Sequence, residues 1–290
     1  LMTYRDSKAA FCFLAPALVF LCLFRLWPAA KSVAESLRGW SSAGAKTFVG
    51  LANYRYLFRE DPAFWASVRV TLKYAAIASP ITIAASLGLA FLLRGGGKRS
   101  SFLRTLCFLP SAISLSVVAI VWGLILDPYY GLANSILGKL GIAPQPFLSS
   151  PDQALACLIF ITVWRNAGYW MMFFLAGMEA VPAEVYEASA LDGASCMQQA
   201  WRITLPLLAR TMSFVLVANT TSNFVTFAPV FILTQGGPIG STNVLMYESY
   251  KSAFVYLDTG RAMAISSLTL LGVLALSAMQ LKLTRAQFEH

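Results

Sequence analysis

The sequence predicts an all-α membrane protein with six spanning helices, and three observations carry that prediction. Of its 290 residues, 58% are hydrophobic and only 12% charged, against about 25% charged in ordinary soluble domains. The apolar residues fall into six blocks, each long enough for the roughly 20 residues that a helix needs to cross the hydrocarbon core. Charged residues collect mainly between the blocks, and membrane β-strands would be shorter and would alternate in polarity.

The first block, 10–33, follows Arg5 and Lys8 and contains Pro16, Arg25 and Trp27. It is longer than a signal-peptide core and lacks a small-residue cleavage site, so it reads as a retained helix. Leu1 ahead of Met2 reads as an added residue. Segment 34–67 is a polar connection whose Trp40, Asn53, Tyr54, Tyr56, Phe64 and Trp65 suit the membrane–water interface. The second and third blocks, 68–93 and 103–126, are joined by a short turn holding Arg94, Lys98, Arg99 and Arg104. Loop 127–153 is rich in Gly and Pro and predicts an irregular segment with at most one short helix. The fourth, fifth and sixth blocks are 154–177, 207–233 and 262–282, and Gly236-Gly237-Pro238 opens the connection between the last two with a sharp turn. No internal repeat is evident, and residues 1–290 form one domain.

The net charge of +9 reflects Lys and Arg flanking the spans, and no nucleic-acid partner is expected. Basic residues after the second block and Lys282 and Arg285 after the sixth place both termini in the cytoplasm. The basic stretch from Arg38 to Arg69 counts against that orientation. Cysteines 12, 22, 107, 157 and 196 form no CxxC pair and predict buried small hydrophobes, and the only histidine is His290. No metal centre or histidine-based catalytic site can be built from this inventory. The stretch Arg94-Gly95-Gly96-Gly97-Lys98-Arg99-Ser100 fails the phosphate-loop pattern, because Leu92 stands where a Gly is required and Arg99 follows Lys98.

The connection 178–206 differs from the others. Pro182 suits a helix start, and Glu184 and Glu187 lie near that N-terminus, where negative charge is favourable. Val185, Ala188 and Leu191 share one face, Gly193 permits a sharp exit, and Pro206 opens the next span. A short amphipathic helix on the cytoplasmic surface follows, suited to docking in another protein's groove.

Glu187-Ala188-Ser189, then Gly193, then Ile203-Thr204-Leu205-Pro206 resembles the signature of permeases from binding-protein-dependent ABC importers, with Ser189 replacing a second Ala. Phe48 through Tyr54, Trp122, Asp127-Pro128, Gly131, Asn134, Phe174 through Gly177, Val181-Pro182, Thr234 through Pro238 and Tyr250 through Phe254 extend the resemblance to the carbohydrate branch, similar to maltose-type and glycerol-phosphate-type permeases. Phe227-Ala228 followed by Pro229 departs from the Phe-Asp of many sugar permeases, so the solute is not transferred by resemblance.

The resemblance implies a type I importer permease fold in the bacterial inner membrane, forming half of a translocation pathway. It implies a homologous second permease in a pseudo-symmetric heterodimer, two ATPase subunits, an external solute-binding protein and surrounding lipid. ATP and Mg would be bound by the ATPase, and this chain itself would bind no cofactor and hydrolyse nothing. Glu184, Glu187, Ala188, Ser189, Asp192, Gly193, Ile203, Leu205 and Pro206 are the candidate ATPase-coupling residues.

Two intramembrane groups remain. Asn219, Asn223 and Thr226 form a stripe with Phe227 alongside, which either lines a pathway for sugar hydroxyls or bonds one helix to another. Arg165, with Asn166 and Tyr169, either faces a hydroxyl-rich or phosphorylated solute or serves a structural purpose. A glycerol-3-phosphate or glycerophosphodiester importer is the nearest rival reading. An ion-coupled secondary transporter would need midplane carboxylates, and no Asp or Glu lies well inside a block. A membrane enzyme would need a catalytic cluster, and none is seen.

Overall fold

The computed structural model describes residues 4–40 and 46–285, so Leu1, Met2 and His290 lie outside the described residues, as does the Cys12 side chain. In chain order the elements are α1 (Tyr4–Leu21), a π-turn (Cys22–Leu26), α2 (Trp27–Glu35), β1 (Arg38–Trp40), β2 (Lys46–Phe48), α3 (Ala52–Arg59) and α4 (Pro62–Leu92). Then come α5 (Lys98–Ala112), α6 (Leu115–Ile125), α7 (Leu132–Lys139) and α8 (Ala154–Glu179). They are followed by α9 (Ala183–Leu191), α10 (Cys196–Gln199), a second π-turn (Ala200–Thr204) and α11 (Leu205–Leu207). The last are α12 (Ala209–Phe224), α13 (Ala228–Leu233), α14 (Leu245–Phe254) and α15 (Thr259–Arg285). Five helical stretches are long and apolar enough to span a membrane, and a bent pair, α5 with α6, makes up to six.

The chain divides into two compact units, Leu1–Trp65 with Glu248–Leu271, and Ala66–Tyr247 with Gly272–His290. In the first unit, the span Phe13–Glu35 is unburied. Its π-turn precedes Pro28, which has no N–H to donate to the turn before it. Strands β1 and β2 pair antiparallel, with Gly39 opposite Thr47. Asn53 closes the hairpin's base, its amide donating to the carbonyls of Ser36 at 2.7 Å and Arg38 at 3.0 Å. Below lies a buried ion network. Arg261 donates to Asp61 and, at 2.8 Å, to Glu248, while Lys251 meets Glu248 at 2.7 Å. Asp61 also accepts from the Phe64 N–H at 3.1 Å, which starts α4. Charges removed from water in this way persist only when fully paired.

The second unit packs α8 against α5 and α12. Its core gathers Trp170, Met171, Phe174, Leu175 and Met178 of α8 with Leu208 and Val215. A Cβ on Gly168 would meet the Cys107 carbonyl at 1.8 Å, so glycine is what lets α8 touch the α5 backbone. Tyr74 is fully buried and bonds Thr162 at 2.6 Å.

Two of the predicted spans are broken, which corrects the continuous helices expected at 103–126 and 207–233. The third bends by 95° between α5 and α6, where Ile113 and Ser114 are extended (ψ 142° and 134°). Pro110 removes one N–H from the last turn of α5, leaving it short of internal bonds. The fifth breaks between Phe224 and Ala228, and Pro229 then occupies a helix-start position, where its missing N–H is harmless. Connection 127–153 carries one α-helix and a short 3-10 turn at Phe147–Ser149, whereas α14 was not foreseen in 234–261. The cysteines are less buried than expected. Cys107 and Cys157 are half-buried, but Cys22 and Cys196 are exposed.

Candidate functional site

The coupling loop is built around α9. Pro182 is its N-cap, with Glu184 in its first turn. At the other end the Gly193 N–H donates to the Ala190 carbonyl and the Ala194 N–H to the Ser189 carbonyl, each at 3.0 Å. This paired closure is a Schellman motif, which requires a left-handed residue after the helix. Gly193 supplies it with φ +78°. The chain restarts at once, because Ser195 caps α10 and exchanges bonds with Gln198 at 3.3 and 2.8 Å, a complete capping box. The second π-turn then widens the helix ahead of Pro206.

One face of α9 holds it to its own chain. Ser189 is buried, and its hydroxyl donates to the Tyr186 carbonyl at 2.8 Å. Tyr186 shares a 3.3 Å hydrogen bond with Thr204 and lies under the Arg94 guanidinium at 3.7 Å. The side chains of Glu184, Glu187 and Asp192 are exposed and have no hydrogen-bond or ion-pair partner among the described residues. The face shared by Val185, Ala188 and Leu191 is open: Leu191 is 90% exposed, and Val185 and Ala188 are exposed with it. Ile203 and Leu205 are half-buried and Pro206 is exposed. Tyr186 escaped the sequence reading, since an aromatic beside an acidic run carries no signal of its partners. Beside it a cavity of about 410 Å³ is lined by Phe91, Arg94, Cys196, Met197, Gln199 and Ala200.

The basic turn after α4 is a scaffold more than a patch. Arg104 donates to the carbonyls of Leu93 (3.0 Å), Arg94 (3.3 Å) and Gly95 (3.4 Å), and meets Glu179 at 3.4 Å. Ser100 adds a bond to the Leu93 carbonyl at 2.7 Å. The carbonyls of the turn that leaves α4 are thereby given partners.

The helix-five stripe does not stay together. Asn219 is 0% and Asn223 2% exposed. Their amides donate to the backbone carbonyl and hydroxyl of Ser79 at 3.2 and 3.0 Å, and Asn223 also donates to Asn219 at 3.3 Å. Both amides are thus bonded to the neighbouring helix, the arrangement of the second of the two alternatives the stripe offered. A buried amide in a span finds its partners on a neighbouring helix, here α4. Thr226 and Phe227 lie in the break of the fifth span and are half-buried, Thr226 bonding Tyr74 and Phe227 stacking on Phe231 at 5.3 Å. On α8, Tyr169 is 40% exposed beside Phe108 and Phe173. Arg165 and Asn166 are half-buried and bonded to each other at 3.0 Å. Among the described residues no cluster of His, Cys, Asp or Glu could hold a metal ion.

Apolar spans, two of them broken, together with an exposed helix whose carboxylates have no partner among the described residues, describe a membrane protein that leaves one helix open to its surroundings. Residues 80–287 match the family described as binding-protein-dependent transport system inner membrane component, and the chain belongs to that family. The probable ABC transporter permease protein YurN of Bacillus subtilis (strain 168) is 40% identical over 287 residues, covering 97% of this chain and 97% of that protein. The sn-glycerol-3-phosphate transport system permease protein UgpA of Brucella abortus biovar 1 (strain 9-941) is 33% identical over 295 residues, covering 100% of this chain and 99% of that protein. A chain in the crystal structure of a bacterial ABC transporter involved in the import of the acidic polysaccharide alginate matches with a TM-score of 0.85 at 20% identity, covering 97% of this chain and 96% of that one. That likeness shows the fold: a type I importer permease. The chain is a permease subunit of a transport system.

Proposed function

We propose that this permease forms half of the pathway for a sugar or related carbohydrate-like solute and takes its power stroke through α9. The observation that carries the coupling role is the exposed helix itself. Its carboxylates Glu184, Glu187 and Asp192 are unpaired among the described residues, and its apolar side chain Leu191 is bare. A groove on a separate ATPase would cover that face, and the Gly193 turn would pass the movement into α10 and the fifth span. ATP and Mg would sit in that ATPase. A homologous permease would complete the pathway and an external binding protein would deliver the solute. Both termini would lie in the cytoplasm, with residues 1–290 acting as one permease domain. Asn166, Tyr169, Thr226 and Phe227 are the side chains we assign to the solute's route.

A second reading, sn-glycerol-3-phosphate as the solute, is favoured by the 33% identity to UgpA over the full length of this chain. Uptake into cells carrying the complete transporter, with labelled maltose and labelled sn-glycerol-3-phosphate as probes, separates the readings. Saturable uptake of maltose that unlabelled sn-glycerol-3-phosphate does not compete away supports the first. Uptake of sn-glycerol-3-phosphate alone supports the second, and ATP hydrolysis by this chain in isolation would defeat both.

A further inference from the structure

The bend in the third span leaves a chemical debt inside the membrane. The last carbonyls of a helix have no partner of their own, and within a bilayer no water is there to satisfy them. At the end of α5 these are the carbonyls around Ser111–Ile113, where the chain turns extended before α6 begins. One nitrogen from the neighbouring helix answers two of them. Arg165 Nη2 donates to the Ser111 carbonyl at 3.3 Å and to the Ile113 carbonyl at 3.2 Å. Its Nη1 donates to Asn166 Oδ1 at 3.0 Å, which orients the guanidinium.

The charge balance agrees. Neither 98–125 nor 154–178 contains an Asp or Glu, so Arg165 has no carboxylate from its own or the facing span. The negative end of a helix dipole, worth about half a charge, is the counter-charge that α5 offers. One turn further along α8, Gly168 brings the helix backbone against the Cys107 carbonyl. Arg165 and Gly168 thus hold α8 to α5 at consecutive turns, one by charge and one by close approach. Beyond the bend, α6 packs on α13, and Val118 of α6 shares a cluster with Leu233 of α13 and Ile161 of α8.

We propose that Arg165 is a positioning residue, a cap supplied from α8 that holds the broken end of α5 and so fixes the direction in which α6 leaves it. It does not read the solute. Its Nε–H is buried and without a hydrogen-bond partner among the described residues, so Nη2 alone makes the cap, Nη1 orients it and the inner nitrogen is idle. Because a single nitrogen serves both carbonyls, a lysine ammonium in its place satisfies them too, whereas methionine satisfies neither.

The test is a distance measured across the bend. Leu109 and Val121 are exposed on α5 and α6; Leu109→Cys and Val121→Cys, in a background with the native cysteines replaced, carry spin labels in the assembled transporter. With Arg165 and with Arg165→Lys the distance distribution is expected to be narrow and the same. With Arg165→Met it is expected to shift or broaden by about 5 Å, one helical turn. An unchanged distribution in Arg165→Met overturns the proposal, even if that variant is less stable, because a general loss of stability lowers yield without redirecting α6. If Arg165→Met does not reach the membrane, Arg165→Lys decides: a redirected α6 there overturns the cap. Unchanged distances in Arg165→Met with at least a tenfold rise in KM for whichever probe is taken up, maltose or sn-glycerol-3-phosphate, would make Arg165 a solute ligand instead. The distance readout needs no knowledge of the solute, so its failure is separable from that of the functional reading.

Discussion

The ion network around Arg261 and the coupling loop around α9 use similar residues in opposite ways. Asp61 and Glu248 are 5% and 0% exposed, and both are held by Arg261. Glu184, Glu187 and Asp192 are exposed and unpaired among the described residues. A buried charge without a partner is strongly destabilising, so the network had to close within the chain. An exposed carboxylate loses little by waiting for one. Charges that serve the fold are therefore paired already, and the charges on α9 are left open for the partner proposed above.

The largest expected effect lies in the network. Arg261→Met removes the cation that two buried carboxylates share, leaving Asp61 without its guanidinium and Glu248 with Lys251 alone of the two cations, a loss of about 3–5 kcal/mol. The melting temperature of the detergent-solubilised protein should fall and the amount in the membrane should drop several-fold. Wild-type melting and yield in that variant would erase the contrast between the two regions.

Gly193→Val should do the reverse, sparing the fold while stopping work. A β-branched residue at φ +78° is strained by about 1–3 kcal/mol. Nothing lies within 4 Å of its added Cβ, so strain in the turn is the whole defect. Uptake and solute-stimulated ATP hydrolysis should be lost at near-normal membrane levels. Normal stimulation would remove α9 from the coupling role.

Asn223→Ala sharpens the comparison from inside the bundle. Loss of its hydrogen bonds to Ser79 and Asn219 should destabilise by about 0.5–1.5 kcal/mol. A small drop in melting temperature is expected with KM for the transported probe unchanged. A raised KM at unchanged stability would return Asn223 to the pathway.

Glu187→Gln carries the smallest effect. Its charge is solvated in the free chain, so melting should not move, while co-purification of the ATPase at raised salt should weaken a few-fold, in the range of one exposed ion pair. Equal recovery of ATPase from wild type and variant across a salt series would exclude Glu187 from the contact.

Much of this protein is a direct consequence of its residues. Block lengths against the thickness of a bilayer determined the helical class, and the spacing from Glu187 to Pro206 determined the family. Gly193 could be assigned to the exit turn because few other residues accept positive φ. These are local properties, legible because each depends on a handful of neighbours in sequence. The tertiary structure alone decided what the intramembrane polar groups do. A stripe of Asn219 and Asn223 is the same pattern whether it faces a pore or Ser79, and only the packing of α4 beside α12 showed that their amides meet Ser79. Nor could the sequence show that Arg165 meets the end of a broken helix more than fifty positions away. In a bilayer an unsatisfied polar group is costly enough to find whichever partner is nearest in space, and nearness in space is what a linear pattern does not record.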